Sequence, residues 1–190
     1  SETPVEETLR TIDDMIRQGK VLYAGVSEWT AAQIEEAVSV ADRNLLDRIV
    51  VNQPVYNMLN RYIEPEIIPV SEKYGIGQIV FSPLAQGVLT GKYRGGRIPE
   101  GTRASKPEIN QPVQNLLASG VITKVDALED LAGELGIPFA EMALAWILRQ
   151  PNVASALVGA SRPEQIEANC KAVDVTLSQD TLDRIEEILA

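Results

Sequence analysis

Two short stretches of this chain carry the residue types that hold phosphate. The first is Phe81-Ser82-Pro83-Leu84-Ala85-Gln86-Gly87-Val88-Leu89-Thr90-Gly91-Lys92-Tyr93, where an apolar run gives way to small residues, glycines and a lysine. Backbone N–H groups exposed by a tight turn bind an anion when a cation approaches with them. The second, Gly159-Ala160-Ser161-Arg162-Pro163-Glu164, sets similar parts at a helix start. Two such sites on one α/β chain point to a dinucleotide. Lys92, Arg94, Arg97, Arg103 and Lys106 also crowd one loop, a local positive field that a plain solvated loop would equally produce.

Composition removes several function classes. A net charge of -10 over 190 residues argues against nucleic acid, whose phosphates need a basic face. Apolar residues make up 45% and charged residues 23%, the mix of a globular domain with a real core. Cys170 is the single cysteine, so a disulfide framework and a thiolate metal centre are out. Its place on an apparent helix reads as packed rather than reactive. With no signal-like or membrane-length apolar run, a cytoplasmic chain without a membrane partner is expected. Histidine is absent altogether, which removes the commonest general acid–base side chain.

The elements that must position these residues alternate. Thr3-Pro4-Val5-Glu6 reads as a capping box opening a helix with Leu9, Ile12, Met15 and Ile16 inward and Gly19 as its stop. Val21 to Ser27 is continuously apolar, as a parallel strand covered on both faces should be. Thr30 and Gln33 form a second capping box before the stripe Ile34, Ala37, Val38, Ala41. Ile49 to Pro54 is a strand, Glu64 to Tyr74 a helix that Pro69 must kink or shorten, and Gly77 to Ser82 a strand. Residues 83 to 119 lack periodicity and read as a long functional loop. Helices follow at Val121 to Leu135 and from Pro138, the latter with Met142, Leu144, Trp146 and Ile147. A last strand, Ala154 to Val158, runs into a Ser161 capping box and a helix through Cys170. Ser178 caps a final helix with Leu182, Ile185 and Leu189.

Strand and helix in alternation imply a parallel sheet of right-handed βαβ units. An open doubly wound sheet would carry G-x-G-x-x-G after its first strand, and that motif is missing. The chemistry instead sits at successive strand ends: Ser27, Gln53, Ser82 and Gly159. That is the pattern of a TIM-type (β/α)8 barrel. Only four strands are found, so the expected fold is half a barrel, one domain over residues 1–190 with the long loop at 83–119.

Four motifs carry a family resemblance: GVSEW from Gly25, VVNQPVYN from Val50, FSPLAQGVLTGKY from Phe81 and LVGASRPEQIEAN from Leu157. In that order the chain resembles the C-terminal half of an aldo-keto reductase, nearest the branch of bacterial general-stress reductases and potassium-channel β-subunits. The resemblance implies an NADP(H)-dependent oxidoreductase that reduces a small aldehyde or ketone. It places Phe81 against the nicotinamide, a flat apolar face that selects one side of the ring. It puts Ser27 and Gln53 on the carboxamide, and Ser82, Pro83, Leu84, Ala85, Gln86 and Lys92 along the pyrophosphate. Arg103 would close over it. Gly159, Ser161 and Arg162 meet the 2′-phosphate, where helix dipole and guanidinium favour an anion. Gln165 and Asn169 fall on the adenine side, one helical turn apart.

Each assignment has a plainer counterpart: a buried strand aromatic for Phe81, a surface amide for Gln53, simple capping for Ser161. Two positions depart from the family pattern. Glu28 stands where relatives carry asparagine or arginine, and a carboxylate cannot donate to the carboxamide oxygen. Ala168 replaces a glutamate, and Glu167, about 100° round the helix, does not substitute. The family's catalytic Tyr, Lys, Asp and His belong to the preceding half of the barrel, so no catalytic residue is assigned. Tyr23, Tyr56, Tyr62, Tyr74 and Tyr93 read as core or rim aromatics, and Trp29 as the one large exposed substrate contact. A half barrel leaves edge strands unpaired, so a missing N-terminal half or another copy of the chain is the expected partner. Two other functions compete: an NADP-binding sensor without turnover, and a cofactor-free half barrel.

Overall fold

The computed structural model describes residues 3–190, which form two compact units. The first takes the chain through Val55, then Arg61–Phe81 and Pro151–Ser155; the second takes Tyr56–Asn60, Ser82–Gln150 and Ala156–Ala190.

In the first unit, α1 (Val5–Arg17), α2 (Ala31–Asn44) and α3 (Ile67–Tyr74) alternate with β1 (Ala24–Ser27), β2 (Ile49–Gln53) and β3 (Gly77–Val80). With β4 (Val153–Ala156) these make one four-stranded parallel sheet in the order β1-β2-β3-β4. Sequential order of parallel strands, each followed by a helix, is the topology of a partial (β/α)8 barrel. The Thr30–Gln33 capping box is present, and Ile34, Ala37, Val38 and Ala41 are buried along α2 as the periodicity requires.

The differences have local causes. Helix α1 starts at Val5 with Pro4 at the cap, one residue later than expected. Its stripe is not purely apolar: Met15 is exposed, while Asp13 is buried. The Asp13 carboxylate accepts from Arg17 Nε at 2.5 Å and from the Asp47 N–H at 2.9 Å. Those two donors, Arg17 first, hold its carboxyl below the usual carboxylate range. Helix α3 begins only at Ile67, because Pro69 is tolerated within the first turn, where its missing N–H costs nothing. Strand β1 is shorter than its apolar run, and Leu22 and Tyr23 are exposed. The sheet is buried on one face, so Gly25 and Ser27 lie open while Ala24 is covered.

Register is set by pairing Gly25↔Val51 and Ser27↔Gln53 between β1 and β2, and Asn52↔Gln78 between β2 and β3. A Cβ on Gly25 would meet Val51 Cγ2 at 2.6 Å, so the first crossing needs glycine. On the buried face an amide ladder crosses the sheet. Asn52 Nδ2 donates to Gln78 Oε1 at 3.3 Å, Gln78 Nε2 to Asn152 Oδ1 at 3.1 Å, and Asn152 Nδ2 to the Ile76 carbonyl at 2.9 Å.

The second unit contains the segment expected to be a loop. It holds three short 3-10 turns and α4 (Gln111–Ala118), and buries Val88, Leu89, Tyr93, Ala104 and Val113. Its apolar residues are too irregularly spaced to show a period, yet they are enough to pack. The Tyr93 hydroxyl accepts from the Ala104 N–H, and Asn110 and Gln114 donate to the Ala104 carbonyl. Helices α5 (Ile122–Glu134), α6 (Phe139–Leu148), α7 (Pro163–Cys170) and α8 (Gln179–Leu189) complete this unit. Helix α6 is apolar apart from the buried Glu141 of its first turn, and it buries Trp146, whose ring lies 5.4 Å from that of Tyr56. Ser178 caps α8 as expected. Cys170, read as packed, is exposed at the end of α7.

The amide ladder yields a stability prediction. Gln78→Leu leaves the buried Asn52 Nδ2 without a partner, which should cost about 1–3 kcal/mol, and also removes the bond to the half-buried Asn152 Oδ1. Urea unfolding would measure it; an unchanged midpoint would mean that the register is held by other contacts.

Candidate functional site

In the first unit the end of β1 closes on the Gln53 carbonyl of β2. The Gln53 oxygen accepts from Ser27 Oγ at 2.8 Å and from the Glu28 N–H at 3.3 Å. Phe81 extends β3 by pairing with Val55, its N–H reaching the Pro54 carbonyl at 3.0 Å. Because Ser27 pairs with Gln53 and Phe81 lies an even number of residues beyond Gly77, alternation puts all three on the uncovered face. Ser27 is exposed there, and Gln53 and Phe81 are half-buried.

Glu28 belongs to this cluster. Its Oε1 accepts from the Val55 N–H at 2.6 Å and from the Tyr62 hydroxyl at 3.1 Å. Partial burial, then the neighbouring Glu28 charge, pushes the Tyr62 phenol up to about 12. Neither residue entered the sequence-derived set; Glu28 looked like a departure and Tyr62 like a rim aromatic. The missed signal was Glu28's place directly after a strand-end serine, where an unusual backbone turns the side chain back.

That backbone is left-handed, with φ 58. Among the described residues five non-glycine positions have positive φ, and four are Glu28, Ser82, Ala85 and Gln86. Such positions cost of order 1–3 kcal/mol each and mark functional segments.

Ser82 to Lys92 lies in the second unit. Asn57, buried and also missed, anchors its start by donating Nδ2 to the Ser82 carbonyl at 3.0 Å while Oδ1 accepts from the Leu59 N–H at 2.9 Å. It stood inside the VVNQPVYN motif, but its partner is distant in sequence. Gln86 Nε2 donates to Ser82 Oγ at 3.0 Å, and Arg103 donates to Gln86 Oε1. The N–H groups of Ser82 and Leu84 make no hydrogen bond among the described residues. Pro83 and Ala85 are buried and Leu84 half-buried, so backbone rather than side chain is what this turn offers. Lys92 packs its ammonium over Gly87, where a Cβ would collide with Nζ.

The loop's positive field is smaller than its composition suggests. Arg94 is spent on Glu129 at 3.2 Å and Asp130 at 2.6 Å, which hold its guanidinium charged. Lys92 and Arg103 make no ion pair among the described residues and remain available.

Gly159, Ser161 and Arg162 are exposed ahead of α7. The cap residue is Arg162, not Ser161, and it makes no side-chain cap bond. Instead Gln165 Oε1 accepts from the Ser161 N–H at 2.8 Å and from Ser161 Oγ at 3.2 Å. Pro163 at the first helical position needs no N–H partner, so a different local closure serves. Asn169 is half-buried on the same helix. Two hollows of the first unit, about 230 and 360 Å3, are lined by residues including Tyr23, Asp47 and Val50, and Gly75, Gly77 and Asn152. They lie at the opposite ends of the strands, away from this chemistry.

The sequence model of the Aldo/keto reductase family matches residues 1–190. The chain is 44% identical over 190 residues to a probable voltage-gated potassium channel subunit beta of Arabidopsis thaliana, covering 98% of this chain and 58% of that protein. It is 40% identical to a putative channel subunit beta of Schizosaccharomyces pombe, over 98% of this chain and 55% of that protein. It is 34% identical to L-glyceraldehyde 3-phosphate reductase of Escherichia coli, over 99% and 55%. The chain thus spans just over half the length of these relatives.

Tyr62 reports on the strand-end cluster. Its phenolate absorbance should appear near pH 12, and Glu28→Gln should lower that midpoint while leaving the part due to burial. A phenol raised in the folded state stabilises it fully below about pH 10, and that contribution is lost as pH rises through about 12. An ordinary midpoint in the folded protein would remove the Glu28–Tyr62 bond.

Proposed function

The chain belongs to the aldo/keto reductase family, and on that premise we propose that it supplies the NADP(H)-holding part of a carbonyl reductase. The observation that carries this reading lies within the second unit: left-handed backbone at Ser82, Ala85 and Gln86, with Ser82 and Leu84 N–H groups that make no hydrogen bond and Lys92 and Arg103 without ion pairs among the described residues. That donor set fits a dinucleotide: amide and hydroxyl for a carboxamide, backbone and ammonium for phosphates, a flat ring for the nicotinamide. The cofactor, when bound, supplies the hydride that converts an aldehyde or ketone to an alcohol.

Each residue has a holding role. Ser27 Oγ donates its proton to the Gln53 carbonyl, which leaves its lone pairs to accept from a carboxamide amine, while the Gln53 amide donates to the carboxamide oxygen. Phe81 gives an apolar face that excludes water from one side of the ring. The backbone from Ser82 to Gln86, including Pro83, Leu84 and Ala85, takes the pyrophosphate with Lys92, and Arg103 latches over it. Gly159, Ser161 and Arg162 take the 2′-phosphate; Gln165 and Asn169 flank the adenine.

Proton donation to the carbonyl falls to residues outside this set. Tyr62 holds its proton against a carboxylate and is raised to about 12, so it is a poor acid at neutral pH. The rest of a full barrel, or a second copy, supplies that acid in this reading, and the protein works in the cytoplasm on a small-molecule carbonyl. A second reading, a nicotinamide-binding sensor without turnover, draws on the greater identity to the channel β-subunits than to the reductase.

Titration of nicotinamide fluorescence with NADPH and NADH tests the cofactor. Arg162→Ala should weaken NADPH roughly ten- to a hundredfold, the loss of a charge-assisted hydrogen bond of about 1.5–3 kcal/mol, and leave NADH nearly unchanged. Equal loss for both would remove Arg162 from that role. NADPH binding without aldehyde reduction would favour the sensor.

A further inference from the structure

Glu28 is the feature that the holding roles above leave unused. Its Oε1 is occupied by the Val55 N–H and the Tyr62 hydroxyl, both neutral donors. It makes no ion pair among the described residues. Its left-handed backbone, φ 58, and its N–H bond to the Gln53 carbonyl fix where it stands. The chain therefore maintains an uncompensated negative charge, at the cost of backbone strain, between Ser27 and the start of the following helix.

We infer that Glu28 is a redox-poising residue, which makes the nicotinamide site hold the oxidised cofactor more tightly, relative to the reduced one, than a neutral residue would. The inference rests on the nicotinamide reading of Ser27, Gln53 and Phe81. An oxidised nicotinamide ring carries a positive charge and the reduced ring is neutral, so a fixed carboxylate beside the carboxamide distinguishes them by charge alone. Its second oxygen, Oε2, also has no hydrogen-bond partner among the described residues and suits the carboxamide amine. Binding the oxidised form more tightly lowers the potential of the bound pair and makes the reduced form a stronger hydride donor. Tyr62 and the Val55 N–H hold the carboxylate in place without neutralising it.

A unit charge at side-chain range in a partly solvated site changes an affinity by roughly tenfold. A tenfold change in the ratio of the two affinities is about 30 mV for a two-electron couple. The test is the ratio of Kd for NADP+ to Kd for NADPH, measured by titration on the wild-type protein, Glu28→Gln and Glu28→Asn. Glutamine keeps an oxygen for Val55 and Tyr62, and asparagine is a second neutral variant should the first fail to fold. Both should raise the ratio roughly tenfold, chiefly through weaker NADP+ binding, and added salt should raise the wild-type ratio towards theirs. A merely structural role would weaken both forms alike, so an unchanged ratio in the folded variants overturns the inference and leaves the nicotinamide reading standing. Failure of the wild-type protein to bind either form overturns both.

Discussion

Register is the constraint on which this chain's chemistry depends. Asn52 of β2 and Gln78 of β3 are joined through side-chain amides on the buried face, and Gln78 reaches on to Asn152, the half-buried residue just before β4. A strand's side chains alternate, so a slip of one residue would send its open face into the core. With the ladder in place, Ser27, Gln53 and Phe81 share the uncovered face at one end of the strands. Apolar side chains at 52 and 78 would pack, but they would tolerate neighbouring registers equally well. Buried amides are costly unless paired, which is why they select one alignment. The ladder is not saturated, since Asn52 Oδ1 has no partner, so its work is specificity more than stability.

Strain is stored where the ladder's register delivers the strand ends. Left-handed backbone at Glu28 keeps a carboxylate turned back on Val55, and the same conformation recurs at Ser82, Ala85 and Gln86, where the Ser82 and Leu84 N–H groups make no hydrogen bond among the described residues. Such conformations persist only when surrounding packing overdetermines them. In the second unit that packing is visible: buried Val88 and Leu89, the Tyr93–Ala104 bond, and Asn57 on the Ser82 carbonyl. The segment that looked like a loop is thus a packed support for its own turn.

Charge is apportioned with the same economy. Asp13 is answered by Arg17, Asp42 by Arg48, and Arg94 by two acids on α5. Lys92, Arg162 and Glu28 make no such pair among the described residues. In the proposed reading the two cations would meet the phosphates and the anion the oxidised ring, a distribution that suits a dinucleotide whose phosphates are anionic and whose oxidised ring is cationic.

Much of this was legible from residue order. Helical period and caps located α2, α5, α6 and α8, and the four strands followed from apolar runs between turn signals, because these depend on neighbours within a few positions. Strand-end residues such as Ser27, Gln53 and Phe81 could be named for the same reason. The rest required tertiary structure. Asn57 meets Ser82, Glu28 meets Tyr62, and Arg103 meets Gln86 across 25, 34 and 17 positions. The expected Ser161 cap is absent because α7 starts one residue later, with Arg162 at the cap and the Ser161 hydroxyl turned to Gln165 Oε1, and Cys170 proved exposed at the end of a helix that buries no side chain fully. Local pattern decides which element forms; only folding decides which distant side chain answers a charge, and here that choice turned Glu28 from an anomaly into part of the site.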